Sequence, residues 1–202
     1  MALDRAAVIA AGVGVARSDG IGGVGVRPVA GSLGVTPMAL YRHVGDAADL
    51  HDAVVESLLS GIPEVPEDGP WADRCRRWAV ETRAALLPCA GLARLVLTSW
   101  TRLPRVLRVV NGLGAMLEVD GPPGIDAVAG ANALLTYVLA RAEAEEAVRS
   151  GGVARDLAVL DSMADQVPFL RAHRDEYAVA RVDEHFAYGL DALLAGLTVA
   201  HR

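Results

Sequence analysis

The chain has 202 residues, of which 52% are hydrophobic and only 4% aromatic, so it can bury an aliphatic core and is not a disordered protein. Its formal net charge of −6 excludes a basic surface over the whole molecule, so any contact with nucleic acid must be local. Two cysteines, Cys75 and Cys89, without a CxxC motif or a nearby histidine pair, argue against a zinc site or a disulfide framework.

Apolar residues at helical spacing predict four helices in the first sixty residues, at 4–18, 26–32, 37–44 and 46–60. Gly34 separates the second from the third, and Thr36 is a suitable N-cap for the third, with Pro37 in its first position. Asp46 can cap the fourth helix.

Segment 62–70 contains three prolines, three acidic residues and a glycine, a composition typical of a boundary. It predicts an N-terminal domain of residues 1–60 and a C-terminal domain of residues 71–202. In the second domain we predict helices at 71–87, 91–101, 104–119, 125–149, 155–166 and 175–199. No strand-like alternation is present, so the predicted fold class is all-α.

The run from Val26 to Val44 has the pattern of a helix-turn-helix. This motif needs a small residue where its helices cross and a glycine at the turn, and Ala30 and Gly34 supply them. Apolar residues occupy the packing positions around them, at Val29, Leu33, Val35 and Leu40.

With the segment Thr36–Val44 behind it, this run resembles the TetR family of bacterial transcriptional repressors, whose recognition helix ends in Leu-Tyr-x-His. Asp49-Leu50 is similar to the start of the family's connecting helix, Trp71 to the start of its regulatory domain, and 186–197 to its last dimerisation helix. The resemblance implies a three-helix head with a helix-turn-helix, joined by a connecting helix to a helical-bundle regulatory domain.

The resemblance also implies contacts with operator DNA. Thr36, Pro37, Met38 and Arg42 would face the bases of the major groove. Tyr41, His43 and Arg27 would hold phosphates beside them.

Three positions depart from the family pattern. Gly25 stands where the family usually has a serine or threonine cap, Pro28 where it often has a second arginine, and Ala47 where it commonly has a lysine. Residues 1–60 contain four arginines and six acidic residues. Fewer phosphate contacts release fewer counterions and weaken DNA binding whatever its sequence.

In the family, the regulatory domain binds a small molecule and dimerises. Candidate ligand contacts are the large apolar or polar-tipped residues of the predicted helices: Trp78, Trp100, Arg105, Met116, Asn132, Tyr137, Arg141 and Phe169. Helices 125–149 and 175–199 carry apolar stripes, the second through Val182, Phe186, Leu190, Leu193 and Leu197. These stripes can form a homodimer interface, or they can be buried within one protomer.

No spacing in the sequence matches a catalytic, metal or cofactor site, although Tyr137, Arg141, Glu143 and His173 are conceivable acid–base or anion-holding groups. We expect Glu143, Glu145 and Glu146 to form a solvated helix face.

No signal-like segment or membrane-length apolar run is present, so we expect a cytoplasmic protein. The predicted function is a TetR-like transcriptional repressor that binds operator DNA as a homodimer and is released by a small molecule. The alternative is a protein with a degenerate head that no longer binds DNA and acts as a small-molecule-binding protein or a repurposed pocket enzyme.

Overall fold

The computed structural model describes residues 3–150, 152–178 and 182–198, and this part of the chain contains helices and no strand, as predicted for an all-α fold. The α-helices are α1 Arg5–Asp19, α2 Val26–Leu33, α3 Pro37–Leu40, α4 Ala47–Leu59, α5 Trp71–Leu86, α6 Leu92–Ser99, α7 Pro104–Asp120, α8 Ala127–Arg149, α9 Gly152–Ser162, α10 Pro168–Ala172, α11 Arg174–Ala178 and α12 Val182–Leu197. Two short 3₁₀-helices lie at Ile21–Gly23 and Trp100–Arg102. None of the helices in the described ranges combines the length and apolar character that a membrane span requires.

Helices α1 to α4 form a small bundle in which α1 packs against both α2 and α4. Val8 and Val15 of α1 and Leu50 and Val54 of α4 are buried in it. A side chain at Gly12 would overlap Val54, so this glycine permits α1 and α4 to approach closely. Glycine is an unfavourable residue inside a helix, and at Gly12 the close packing of α1 against α4 offsets that cost.

The predicted third helix, 37–44, is only one turn long. It ends at Leu40 and continues as a turn, in which the amides of His43 and Val44 both donate to the Leu40 carbonyl. Thr36 stands at the N-cap position as predicted, but its side chain makes no capping hydrogen bond. The conformation of residues 37–44 therefore depends on contacts with the surrounding helices more than on hydrogen bonds within the segment.

Other predicted boundaries in the second half of the chain also differ from the structure. The helix predicted at 91–101 ends at Ser99, because the chain then tightens into the 3₁₀-helix. The helix predicted at 155–166 spans Gly152–Ser162. Pro168, in the predicted gap between the helices at 155–166 and 175–199, begins α10, where a missing N–H costs nothing. The last predicted helix, 175–199, corresponds to α11 and α12, and its residues 179–181 and 199 lie outside the described part of the chain.

Helix α8 is the centre of the C-terminal helices, since it packs against α5, α6, α7 and α12. Its inner face contributes Leu134, Leu135, Val138 and Leu139, all buried. Burial of each such side chain stabilises the fold by ~1.5–3 kcal/mol relative to exposure.

The acidic cluster of α8 is not the solvated face that we expected. Glu145 is only 3% exposed, and its carboxylate accepts hydrogen bonds from Arg83 Nε at 2.8 Å and from Arg149 at 2.7 Å. A buried carboxylate is costly unless it is paired, so Arg83 and Arg149 determine whether this position tolerates an acid. Of the other two carboxylates, Glu143 pairs with Arg94 of α6, and Glu146 accepts from the Gly91 amide in the turn before α6.

Arg5 and Asp49 fasten α1 to the turn before α4. The Arg5 guanidinium makes two hydrogen bonds to the Asp49 carboxylate, at 2.7 and 2.9 Å, and a third to the His43 carbonyl at 3.0 Å. The Asp49 carboxylate also accepts from the Gly45 amide, while the Asp46 side chain caps α4 by accepting from the Asp49 amide. The hydrogen bonds from Arg5 and Gly45 hold the pKa of Asp49 well below its usual range.

We expect Asp49→Asn to lower the melting temperature at pH 7, since it removes the charged acceptor of these bonds. A depressed folded-state pKa contributes stability above the unfolded-state value of about 3.9 and loses it as the pH falls towards the folded-state value. The difference in melting temperature between the variant and the wild type should therefore narrow below about pH 4. Thermal unfolding across pH measures it, with Asp52→Asn, an exposed acid on the same helix, as the control. Equal melting temperatures at pH 7 would contradict the role given to Asp49.

Candidate nucleic-acid interface and ligand clefts

The segment from Thr36 to His43 presents most of its side chains to solvent around one anchored residue. Leu40 is completely buried, whereas Met38 is 73% exposed and Tyr41 46% exposed. Thr36, Pro37 and Arg42 are also exposed, and His43 is half-buried. The structure thus places six of the seven predicted DNA contacts on one continuous surface segment, and the seventh, Arg27, is exposed in the first turn of α2, which packs against α3.

The backbone behind this segment is held in place by the Arg5–Asp49 pair. The bond from Arg5 to the His43 carbonyl fixes the end of the turn, and Asp49 fixes Gly45 two residues later. Arg5 is therefore engaged within the protein and positions the segment.

The cations that remain for an anionic partner are few. Arg27 and Arg42 are exposed, and their side chains make no ion pair or hydrogen bond within the described ranges. Arg17 is also exposed and unpaired there, but it lines a cleft of about 330 Å³ beside Cys89 and does not belong to the segment. Two free arginines per protomer thus accompany the exposed segment.

A cleft of about 580 Å³ lies between α4 and the region where α6 leads into α7. Val55, Leu95 and Leu103 give it apolar walls. Its other lining residues are polar or charged, or are proline: His51, Asp52, Glu56, Ser99, Arg102 and Pro104. The volume falls in the range of small-molecule sites, and the walls combine apolar area with a few groups that can orient a ligand.

Sequence reasoning missed this cleft. Its residues on α4 recur at 51, 52, 55 and 56, which is a second face of that helix beside the buried stripe of Leu50 and Val54. That spacing was the available signal, but the partner wall comes from residues about fifty positions later.

The eight predicted ligand contacts do not gather around one cavity. Trp78 is completely buried and its indole Nε1 has no hydrogen-bond partner in the described residues. Met116 lines a shallower cleft of about 450 Å³ beside residues 64–67. Trp100 and Arg105 adjoin residues of the 580 Å³ cleft in sequence, and Arg105 bonds to Ile62 and Glu64.

The other four predicted ligand contacts also lie apart. Asn132 is exposed on α8, Phe169 is exposed and stacks on His173 at 4.7 Å, and the Arg141 Nε is buried without a described partner. The Tyr137 hydroxyl donates to the Phe186 carbonyl at 2.7 Å.

The conceivable acid–base groups are engaged separately. Tyr137 bonds to the main chain, Glu143 pairs with Arg94, and His173 contacts Glu176 at 3.1 Å. None of them faces another across a described cleft, so this geometry gives no support to a shared reaction centre.

A turn between α5 and α6 joins the N-terminal helices to the rest of the molecule. The Ile21 amide donates to the Ala90 carbonyl at 2.8 Å, and the next amide, that of Gly91, donates to the Glu146 carboxylate of α8 at 2.8 Å. Gly20 has φ +79°, and a Cβ atom there would lie 3.1 Å from the Ala90 oxygen, so both its conformation and its contact favour glycine. We call these contacts the Ala90 joint.

Cys89 belongs to the same joint. Its thiol donates to the Ala16 carbonyl at 3.3 Å, and burial raises the pKa of Cys89 to about 11. The thiol is therefore protonated at neutral pH and acts as a packing residue with a weak donor.

A groove of about 350 Å³ runs between α8 and α12 and is lined mainly by small residues, including Ala129, Ala133, Ala192 and Gly196. Phe186 and Leu190, part of the apolar stripe identified in the sequence, are instead buried within the protomer. These two residues of the stripe serve the protomer's own core, whereas Leu193 and Leu197 are half-buried and line the groove. The outer faces of α8 and α12 offer small residues to solvent.

The C-terminal two thirds of the chain matches a family model described as tetracyclin repressor-like, C-terminal domain, over residues 62–200. The chain is 28% identical to the HTH-type transcriptional repressor DrrR1 of Streptomyces coeruleorubidus, in an alignment that covers 98% of this chain and 78% of that protein.

Solved structures agree with this match. A possible TetR family transcriptional regulator from Streptomyces coelicolor A3(2) is 26% identical, with a TM-score of 0.80 over 98% of this chain and 100% of that one. The Streptomyces coelicolor TetR family protein ActR in complex with actinorhodin is 25% identical, with a TM-score of 0.74 over 98% of this chain and 96% of that one.

Proposed function

Since the chain belongs to the TetR family of transcriptional regulators, we propose that it is a repressor that binds operator DNA as a homodimer and is released by a small molecule. The observation that carries this proposal is the exposed segment Thr36–His43, anchored by buried Leu40 and accompanied by unpaired arginines. We assign residues 1–60 to DNA binding and 71–202 to ligand binding and dimerisation. The start of the family match at residue 62 supports that division.

In this proposal Thr36, Pro37, Met38 and Arg42 contact bases in the major groove. Arg27, Tyr41 and His43 contact phosphates and set the register of the protein on the duplex. Their exposure supports these roles, as does the fixation of the turn behind them by Arg5.

A second candidate function is small-molecule binding without DNA binding. It is favoured by the small number of free cations, since Arg5 is engaged and Gly25, Pro28 and Ala47 supply no charge. The two candidates differ in one measurable property, the salt dependence of DNA binding.

We place the ligand in the 580 Å³ cleft between α4 and the start of α7. A molecule there would contact His51 or Asp52 on one wall and Ser99 or Arg102 on the other. It would thereby fix α4, which carries the DNA-contacting bundle, relative to the C-terminal helices. A ligand shifts the equilibrium between two positions of α4 only if it binds one of them more tightly than the other. The coupling is reciprocal, so a ligand that weakens DNA binding is itself bound less tightly when DNA is bound.

We place the homodimer interface on the outer faces of α8 and α12. Small residues allow helices of two protomers to approach closely, and the groove offers Ala133 and Gly196 for that contact. Tyr188 of α12 is 79% exposed and is the kind of aromatic side chain that anchors interfaces. A dimer also places two copies of the α3 segment on one duplex, as paired half-sites require.

Operator binding should depend on salt with a modest slope. Arg27 is the free arginine assigned to a phosphate in each protomer, so a dimer makes two such contacts and the plot of log K against log salt should have a slope of about −1.8. Arg27→Ala should reduce its magnitude by about 1.8 in the dimer, because two contacts are lost. Fluorescence anisotropy with genomic fragments selected at low salt measures this. Arg17→Ala, an unpaired arginine outside the segment, is the control and should leave the slope unchanged. Absence of saturable binding at low salt would support the second candidate.

Filling the cleft should weaken the response to ligand. We take actinorhodin, the ligand named for the ActR complex, as the probe and measure its release of labelled operator. Ser99→Phe should raise the half-release concentration by about tenfold, because overpacking costs ~1–3 kcal/mol. Ser57→Phe, on α4 but lining the smaller cleft beside Cys89, is the matched control. Equal responses of both variants would contradict this site, and no response of the wild type would contradict the transfer of this ligand from the relative.

A large side chain in the groove should break the dimer without unfolding the protomer. A Cβ atom at Gly196 meets nothing within 4 Å, so Gly196→Arg is tolerated in the protomer. At a close helix interface it should raise the dimer dissociation constant roughly 5- to 150-fold, the equivalent of an overpacking cost of ~1–3 kcal/mol. Sedimentation equilibrium measures the constant, and Gly14→Arg, in equally open space on α1, is the control. An unchanged constant would place the interface elsewhere.

A further inference from the structure

Met38 is an apolar side chain that the protomer does not cover. It is 73% exposed on the one-turn helix α3, although Leu40, two residues later, is completely buried. Pro37 beside it is exposed as well. This apolar pair lies in a segment whose other exposed side chains, Thr36, Tyr41 and Arg42, carry hydrogen-bonding groups.

The surroundings of Met38 favour a nucleic-acid partner over an apolar protein partner. Arg42 follows it by four residues and is exposed and unpaired within the described ranges, as is Arg27 on the adjoining helix. The two free guanidinium groups can bind a polyanion, and the apolar Met38 side chain beside them can pack against a small apolar group in a groove of that polyanion. In the major groove of DNA, that apolar group is the 5-methyl of thymine.

We propose that Met38 reads the 5-methyl group of a thymine in each operator half-site. The proposal rests on the DNA binding proposed above and adds which chemical feature of the base is recognised. A thioether is a weak hydrogen-bond acceptor and cannot distinguish bases through donors and acceptors. Its flexible, polarisable chain can instead fill the space next to a methyl group.

The size of the effect follows from the burial of one methyl group. Removing it from a buried contact weakens binding about fourfold in one half-site, and about fifteenfold when both half-sites are changed.

The test combines a change in the base with a change in the side chain. The full chain first selects its operator from a random duplex library at low salt. Each thymine is then replaced, symmetrically in both half-sites, by deoxyuridine, which lacks only the 5-methyl group. Dissociation constants are measured for the wild type, Met38→Ala and Met38→Leu.

At one thymine position, deoxyuridine should weaken binding about fifteenfold for the wild type and for Met38→Leu, which keeps an apolar contact. The same replacement should leave Met38→Ala unchanged, because its contact with the methyl group is already lost. Val119→Ala, at an exposed valine of α7, is the matched control and should respond as the wild type does.

A deoxyuridine effect that persists in Met38→Ala, or a wild type insensitive to deoxyuridine at every thymine, would overturn the inference and leave operator binding intact. A wild type that binds no duplex at low salt would overturn the proposed function and this inference with it. Because Met38 is exposed, Met38→Ala should keep the melting temperature of the wild type, which separates a lost contact from misfolding.

Discussion

Two consecutive backbone groups in the turn between α5 and α6 set the orientation of the N-terminal helices. The Ala90 carbonyl accepts from Ile21, and the Gly91 amide donates to Glu146 of α8. Hydrogen bonds weaken steeply when their angle or length changes, so this turn keeps α1 and α8 at a defined distance. The proposed ligand cleft reaches the N-terminal helices through α4, which forms one of its walls. The proposed regulation therefore needs α4 to move against the resistance of the Ala90 joint.

The sequence contains the information for local structure. Helix positions followed from apolar spacing, and the cap at Asp46 followed from residue type, because each depends on neighbours within one turn. The anchoring of the helix-turn-helix by Ala30 and Leu40 was predictable for the same reason, and both residues are buried. The length of α3 was not, because the turn that follows Leu40 is held at the His43 carbonyl by Arg5, 38 positions away in the chain.

What the sequence could not supply depends on partners distant in the chain. Glu145 looks like a surface acid until Arg83, on another helix, is brought beside it. Phe186 has the spacing of an intersubunit seam, yet the fold buries it in its own protomer, where its carbonyl accepts from Tyr137. A cleft requires two walls, and its second wall was invisible without the packing of α4 near Leu103. The sequence pattern therefore predicted the helices well, but it predicted poorly the contacts and clefts that form where two helices meet.

In the segment Thr36–His43, one buried residue anchors the fold while the exposed residues are free to vary, and this has an evolutionary consequence. Leu40 carries the stability of the segment, whereas Met38 and Arg42 stand outside the core. Substitutions at such exposed positions usually change the free energy of unfolding by no more than about 0.5 kcal/mol. A lineage can therefore drift through many recognition surfaces while every intermediate protein still folds. Duplicated copies of such a regulator can therefore change which genes they control through single substitutions at exposed positions, without passing through an unstable intermediate protein.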